Sequence, residues 1–402
     1  MEFIKLNFPK AEVKNVRLFY IINAGLSFWL VEAIWYFYWS RFANFSVIGI
    51  IFASLTLIWI LLEIPTGAIA DMFGRKKATV IGCASLFIGS IVLAGAQSYW
   101  YLIIGGLIQN VGRAFISGSL EALVYDTLKK NKEERWFDDV MAAKTRISII
   151  SYSISTLLGG FLYILYFRLA HIVTSFAHLL ITYYSLKLKE IEVEKKPKQS
   201  LRNYLIQNLE GFRQLSVVSL RPYLFSILTI MVLFYLYDWG FSKPAMAVSF
   251  GYGPSGQAVI YTLMALVNTW LLGKLPLFRK RLGDFKGIIS LNLLIGVGYM
   301  LSVLNWGYIG ILILLLIEIS GALSEPWIST IVNRSINSQD RATTLSSLEF
   351  VSKIPFIFLI IISGNGIENQ TLKQLHLMLG IIILFITLIS IFINKKKALR
   401  YE

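Results

Sequence analysis

This sequence predicts an all-α membrane protein, with twelve transmembrane helices in two six-helix bundles related by a pseudo-twofold axis. Three observations carry that prediction. Hydrophobic residues make up 56% of the 402 and charged residues only 15%, against roughly 25% charge in a soluble domain. Apolar stretches long enough to cross a bilayer recur from one end to the other. The basic residues, which bring the formal net charge to +15, fall into segments that alternate sides. Together these exclude a disordered chain, a coiled coil and an ordinary soluble enzyme.

A span needs about 20 mostly apolar residues. The first stretch, 16–40, follows Lys5, Lys10 and Lys14 and is far longer than a signal-peptide core, so it reads as a retained span. The second, 46–70, leads into a glycine-rich charged loop, and the third, 78–96, ends at Gln97-Ser98. The fourth to sixth are 101–124, 142–167 and 169–188. The seventh, 219–242, is closed by the turn Gly251-Tyr-Gly-Pro254, and the eighth is 255–278. The last four are 286–304, 307–331, 342–364 and 372–393. The division into domains follows: 1–188 and 219–402 as the bundles, with 189–218 as a linker.

Charge placement tests this count. With both termini in the cytoplasm, the outside segments hold only Arg41, Arg168, Lys243 and Lys373 of the 38 Lys and Arg, and Arg113 and Lys353 fall within spans. The remainder are cytoplasmic, as the positive-inside rule requires. The net charge is therefore read as topology plus contact with anionic membrane lipid, not as nucleic-acid binding. In the linker, Leu201, Tyr204, Leu205, Asn208, Leu209 and Phe212 recur at helical spacing beside Arg202 and Arg213. That pattern predicts an amphipathic helix on the cytoplasmic surface, tethering the halves. Ser117-Gly118-Ser119-Leu120-Glu121 in span four is echoed by Ser320-Gly321-Ala322-Leu323-Ser324-Glu325 in span ten. A duplication of that kind suits a transporter with its site between repeats.

With one cysteine, Cys83, and three histidines, His171, His178 and His376, no metal set is expected. No phosphate loop or nucleophile elbow is present either, so no cofactor and no enzymatic activity are expected. A monomer is expected.

After span two the chain reads Gly67-Ala-Ile-Ala-Asp71-Met-Phe-Gly74-Arg75-Lys76-Lys77. This resembles the signature loop of the major facilitator superfamily, Gly-x-x-x-Asp-x-x-Gly-Arg-Lys, at the position that family gives it. The preceding Glu63-Ile-Pro65-Thr66 is similar to bacterial members, and the whole chain resembles the twelve-helix drug-efflux type. The resemblance implies that Gly67, Asp71, Gly74 and Arg75 form a conformational latch, with Asp126 as the partner of Arg75. Three departures stand out. Met72 replaces a basic residue. Leu282-Gly283-Asp284-Phe285-Lys286 looks like a second copy lacking the acid ahead of its glycine. The antiporter motif of span five is reduced to Gly159-Gly160, without its Gly-Pro pair.

Charges inside the membrane cost about 2.5–3.5 kcal/mol on insertion scales and mark sites by default. Glu32 lies mid-span one, with Trp29, Tyr36 and Trp39 at helical spacing from it. An acid among aromatic faces suits an organic cation or a transported proton. Arg113, in span four, is a candidate anchor for an anion or a partner for Glu32. Glu318, in span ten, is a second proton candidate by resemblance to multidrug members. Asp238, among Tyr235, Tyr237 and Trp239, is a candidate outer gate. Glu349 and Lys353 read as a same-helix pair, and His178 as a weaker relay candidate.

The expectation is a proton-coupled secondary transporter in the cell membrane. It would export a small amphiphilic or cationic molecule by antiport. The alternatives are a proton-coupled importer of a small nutrient and a lipid or lipid-linked flippase.

Overall fold

The computed structural model describes residues 8–191, 212–215, 220–337 and 341–401, with the side chains of 63–73, 342 and 393–401 excepted. Along the first half the helices are α1 (Lys14–Leu26), α2 (Trp35–Trp39), α3 (Phe45–Phe73), α4 (Arg75–Ala94), α5 (Tyr99–Ile116), α6 (Ser119–Lys130), α7 (Phe137–Leu165) and α8 (Leu169–Leu186). Along the second they are α9 (Arg221–Asp238), α10 (Ser242–Ser249), α11 (Pro254–Leu272), α12 (Leu275–Leu301), α13 (Ile311–Ser335), α14 (Arg341–Glu368) and α15 (Leu372–Tyr401).

Among the described residues nine helices are long and apolar enough to cross a membrane, and the pair α9–α10, bent by 58°, makes a tenth. The first and fourth expected spans are each split between two shorter helices, α1–α2 and α5–α6. The chain divides into two compact units. Unit 1 gathers Met1–Ala43, Leu57–Leu201 and Pro254–Thr262, and unit 2 gathers Asn44–Thr56, Arg202–Gly253 and Leu263–Glu402. The amphipathic helix expected within 189–218 lies outside the described residues, apart from 212–215.

The break in the first span corrects one expectation. Trp29, Glu32, Tyr36 and Trp39 do not share a continuous helical stripe, because residues 27–34 are not helical. Phe28 N–H bonds the Gly25 carbonyl at 3.2 Å and Trp29 N–H that of Ser27 at 3.0 Å, in place of the usual ladder. The aromatic and β-branched residues here are weak helix formers. Irregular backbone at membrane depth also needs protein cover. Gly159 of α7 supplies part of it, since the Leu30 carbonyl sits where its Cβ would be.

The second break has a different cause. Gly118 has φ +74°, between a Ser117 with ψ 120° and the start of α6. No atom lies within 4 Å of a Cβ built on Gly118, so the glycine is required by conformation and not by space. The corresponding Gly321 lies inside the uninterrupted α13 and packs on the Phe234 ring. The sequence echo between spans four and ten is thus not an echo of backbone shape.

Helices α4 and α5 lie back to back through glycines. A Cβ on Gly82 would sit 2.7 Å from the Gly112 carbonyl oxygen, and one on Gly112 would sit 2.7 Å from that of Gly82. Gly89 and Gly105 repeat the arrangement two turns away, at 2.8 and 3.1 Å. Small residues let transmembrane helices pack by van der Waals contact where lipid offers no hydrophobic drive. Below this, α1, α6 and α7 share a core of Val16, Phe19, Leu123, Val124, Leu128 and Val140. Buried Asn15 ties its rim, donating to Thr127 Oγ1 and the Lys189 carbonyl and accepting from Lys189 N–H, each at 2.9 Å.

In unit 2 buried tyrosines join helices by donating to carbonyls: Tyr237 to Leu314 at 2.9 Å and Tyr299 to Leu233 at 2.8 Å. A glycine with φ +69°, Gly283, kinks α12. Beside it Asp284 accepts from Arg279 at 2.9 Å and Arg334 at 3.0 Å. Outer faces, such as Phe176, Phe385 and Leu388, are exposed and apolar, as lipid contact requires.

Candidate functional site

Unit 1 contains a cavity of about 370 Å³, with both helix breaks in its wall. Trp29 comes from the first break, and Ser117 and Gly118 are the second. Arg113 stands in the last turn of α5, His178 on α8 and Lys144 on α7. The Gly82–Gly112 contact clamps α5 on α4 one residue before Arg113, which fixes the side from which that arginine enters.

The Arg113 guanidinium lies over the Trp29 ring, 4.8 Å from its centroid. Its side chain is exposed to the cavity although it stands mid-span. Among the described residues it forms no salt bridge. Glu32, half-buried in the first break, is the carboxylate whose charge acts on it. The neighbouring charges, Glu121 and Lys144, are paired with each other. His178 is held in place: its Nδ1 is 2.7 Å from Ser90 Oγ, which accepts from Gln109 Nε2 at 3.0 Å. Its ring stands 6.1 Å from that of Trp29. The structure therefore brings Glu32, Trp29 and Arg113 together. Tyr36 is buried on α2, its ring against those of Trp35 and Phe37, and does not line the cavity.

Unit 2 assembles a second polar group. Lys243 Nζ is 2.8 Å from Asp238 Oδ1 and 3.3 Å from Glu318 Oε2. Asn268 Nδ2 donates to Glu318 Oε1 at 3.1 Å. Lys243 was expected in an outside segment, yet its side chain is only 4% exposed. The 58° bend between α9 and α10 turns it inward. Asp238 is thus an ion-pair partner within this group. Neither Lys243 nor Asn268 stood out from the sequence. The usable signal was a lysine five residues beyond an intramembrane acid, with Gly240 between them. Glu349 and Lys353 do pair on α14, at 3.5 Å.

At the loop after α3, Gly74 has φ +100° and precedes α4. The Glu190 carboxylate fills the space beside it and accepts from Lys76 N–H at 3.0 Å. Negative charge there suits the positive end of a helix. Arg75 pairs with Asp126 and donates to the Ala122 carbonyl at 2.7 Å. Both ends of that pair belong to unit 1, so it joins the loop to the end of the fourth span. Gly67 and Asp71 lie on the last turns of α3, with side chains outside the described residues. Among the described residues no three His, Cys, Asp or Glu gather as a metal site.

A family model described as Major Facilitator Superfamily matches residues 18–359. Over 145 residues the chain is 30% identical to an uncharacterized transporter of Buchnera aphidicola subsp. Schizaphis graminum, a match covering 35% of this chain and 36% of that protein. Over 93 residues it is 30% identical to the inner membrane transport protein YajR of Escherichia coli K12, or 23% of this chain and 20% of that one. These curated relatives are therefore matched over well under half their length. Among solved structures the chain is similar to the nucleoside transporter NupG, with a TM-score of 0.75 and 14% identity over 96% of this chain and 99% of that one. At that identity the likeness is one of fold.

Proposed function

The chain belongs to the major facilitator superfamily, and from that premise we propose that it is a proton-coupled secondary transporter of a small organic molecule. In this reading it works by alternating access in the cell membrane, with both termini cytoplasmic. The carrying observation is the unit 1 cavity, where two expected spans break around an arginine that forms no salt bridge among the described residues. Broken helices around a polar centre are how transporters build substrate sites. The cavity lies in the range of about 300–1,000 Å³ usual for small-molecule sites. Proton coupling is supported by two intramembrane carboxylates, Glu32 and Glu318, each under the influence of a cation. Protonating either changes the charge of the polar group it belongs to, and a ligand shifts a conformational balance by its differential affinity for the states.

Export by antiport is the direction favoured by resemblance to efflux members. Proton-coupled uptake is the second reading. The missing Gly-Pro pair ahead of Gly159 favours it, and so does Arg113 in the cavity wall, which suits an anion better than the cations that efflux antiporters expel. The test is reconstitution into liposomes with an imposed pH gradient and a panel of labelled organic solutes. Gradient-dependent flux is expected in the wild type and not in Glu32→Gln. Equal flux with the gradient collapsed would remove proton coupling.

A further inference from the structure

We propose that the unit 1 cavity takes organic anions, specifically a carboxylate on a small apolar or aromatic body, and that Arg113 holds this carboxylate. The inference rests on the transport reading above and names its substrate class. It starts from Arg113. An arginine inside a span is tolerated when something satisfies it. Here the Trp29 ring covers the ion but offers no oxygen to its five N–H donors. A guanidinium is shaped for bidentate contact with a carboxylate.

The other charged groups around it are accounted for. Glu121 on α6 and Lys144 on α7 neutralise each other. His178 on α8 is engaged with Ser90 of α4. Glu32 acts on Arg113 from the unwound segment but does not line the cavity. The net charge offered to a cargo is therefore positive. Leu26, Leu86 and Ile116 complete the wall with apolar surface. A cationic cargo, expected when Glu32 is read beside aromatic residues, meets the opposite arrangement. The face of Trp29 that would hold it is already taken by Arg113.

The experiment measures binding to purified protein in lipid nanodiscs by calorimetry at neutral pH. The probes are benzoate, phenylacetate and indole-3-acetate, their primary amides, and phenethylamine. At least one carboxylate is expected to bind roughly tenfold or more tighter than its amide, since a charge-assisted bidentate pair replaces a neutral contact. Glu32→Gln should keep carboxylate binding, since Glu32 does not line the cavity. Arg113→Gln should erase the preference over the amide, and Arg113→Lys should retain part of it. The proposal is overturned if amide or amine binds as tightly as the carboxylate, if Arg113→Gln leaves the preference intact, or if no carboxylate binds. Should Arg113→Gln fail to fold, the wild-type ratio and the lysine variant still decide. The two readings fail differently. Carboxylate binding without flux under any gradient would sink the transport role and leave the anion site. Driven flux of the amine without carboxylate binding would do the reverse.

Discussion

Lys243 and Glu318, on α10 and α13, form a buried ion pair, with Nζ 3.3 Å from Oε2. Asp238 and Asn268 complete the group from α9 and α11. Two carboxylates thus share one ammonium. Removing the cation strands the acids, a change that costs about 3–5 kcal/mol in buried pairs. Lys243→Met is expected to lower the thermal unfolding temperature of purified protein strongly. Adding Glu318→Gln should recover much of the loss. A single variant as stable as the wild type would show that the pair is not felt.

The glycines of α4 and α5 make a steric prediction. A methyl at position 112 would lie 2.7 Å from the Gly82 carbonyl oxygen and 3.0 Å from Leu86 N. Backbone cannot yield as a flexible side-chain tip can. Gly112→Ala is expected to cost about 1–3 kcal/mol, as overpacking does, and to disturb Arg113, its neighbour in sequence. Size-exclusion profiles and melting curves of the detergent-solubilised variant measure this. An unchanged melting curve would contradict the packing.

At Gly118 the prediction is conformational. The site is open, so an added Cβ meets nothing, but the backbone is left-handed. Gly118→Ala should cost about 1–2 kcal/mol. Gly118→Asn should cost less, because asparagine visits this region more readily. Equal losses for both would point to crowding instead.

Asp126→Asn removes the charge opposite Arg75, whose side chain is 21% exposed. Weakening a charge-assisted hydrogen bond of this burial should cost about 1–3 kcal/mol. It should also slow turnover more than it weakens cargo binding, if the loop acts as a latch. Initial flux rates and binding constants, taken together, separate the two. Unchanged flux would leave the loop a purely topogenic role.

Much of the candidate site was legible before the structure. Glu32, Arg113 and Glu318 stood out because charge is rare in apolar stretches, and that rarity is local. What escaped was partnership. Lys243 sat at a span edge and read as an outside residue, since its burial depends on a 58° bend that no residue type announces. The expected stripe of Trp29, Glu32, Tyr36 and Trp39 met a similar limit, because residues 27–34 are not helical. Asn268, Ser117 and the Glu121–Lys144 pair have ordinary compositions and gain meaning only from neighbours.

From sequence alone came residence in the membrane, the order of the spans and the signature loop. Each depends on composition summed over a short window, because transferring a segment into lipid is nearly additive in its residues. Where the helices break, and which charges meet, waited on the tertiary structure. A break at membrane depth survives only if the freed backbone finds cover, as Leu30 does against Gly159. A buried charge is held by groups far away in the chain. Both are properties of what surrounds a residue, and no window around it contains them.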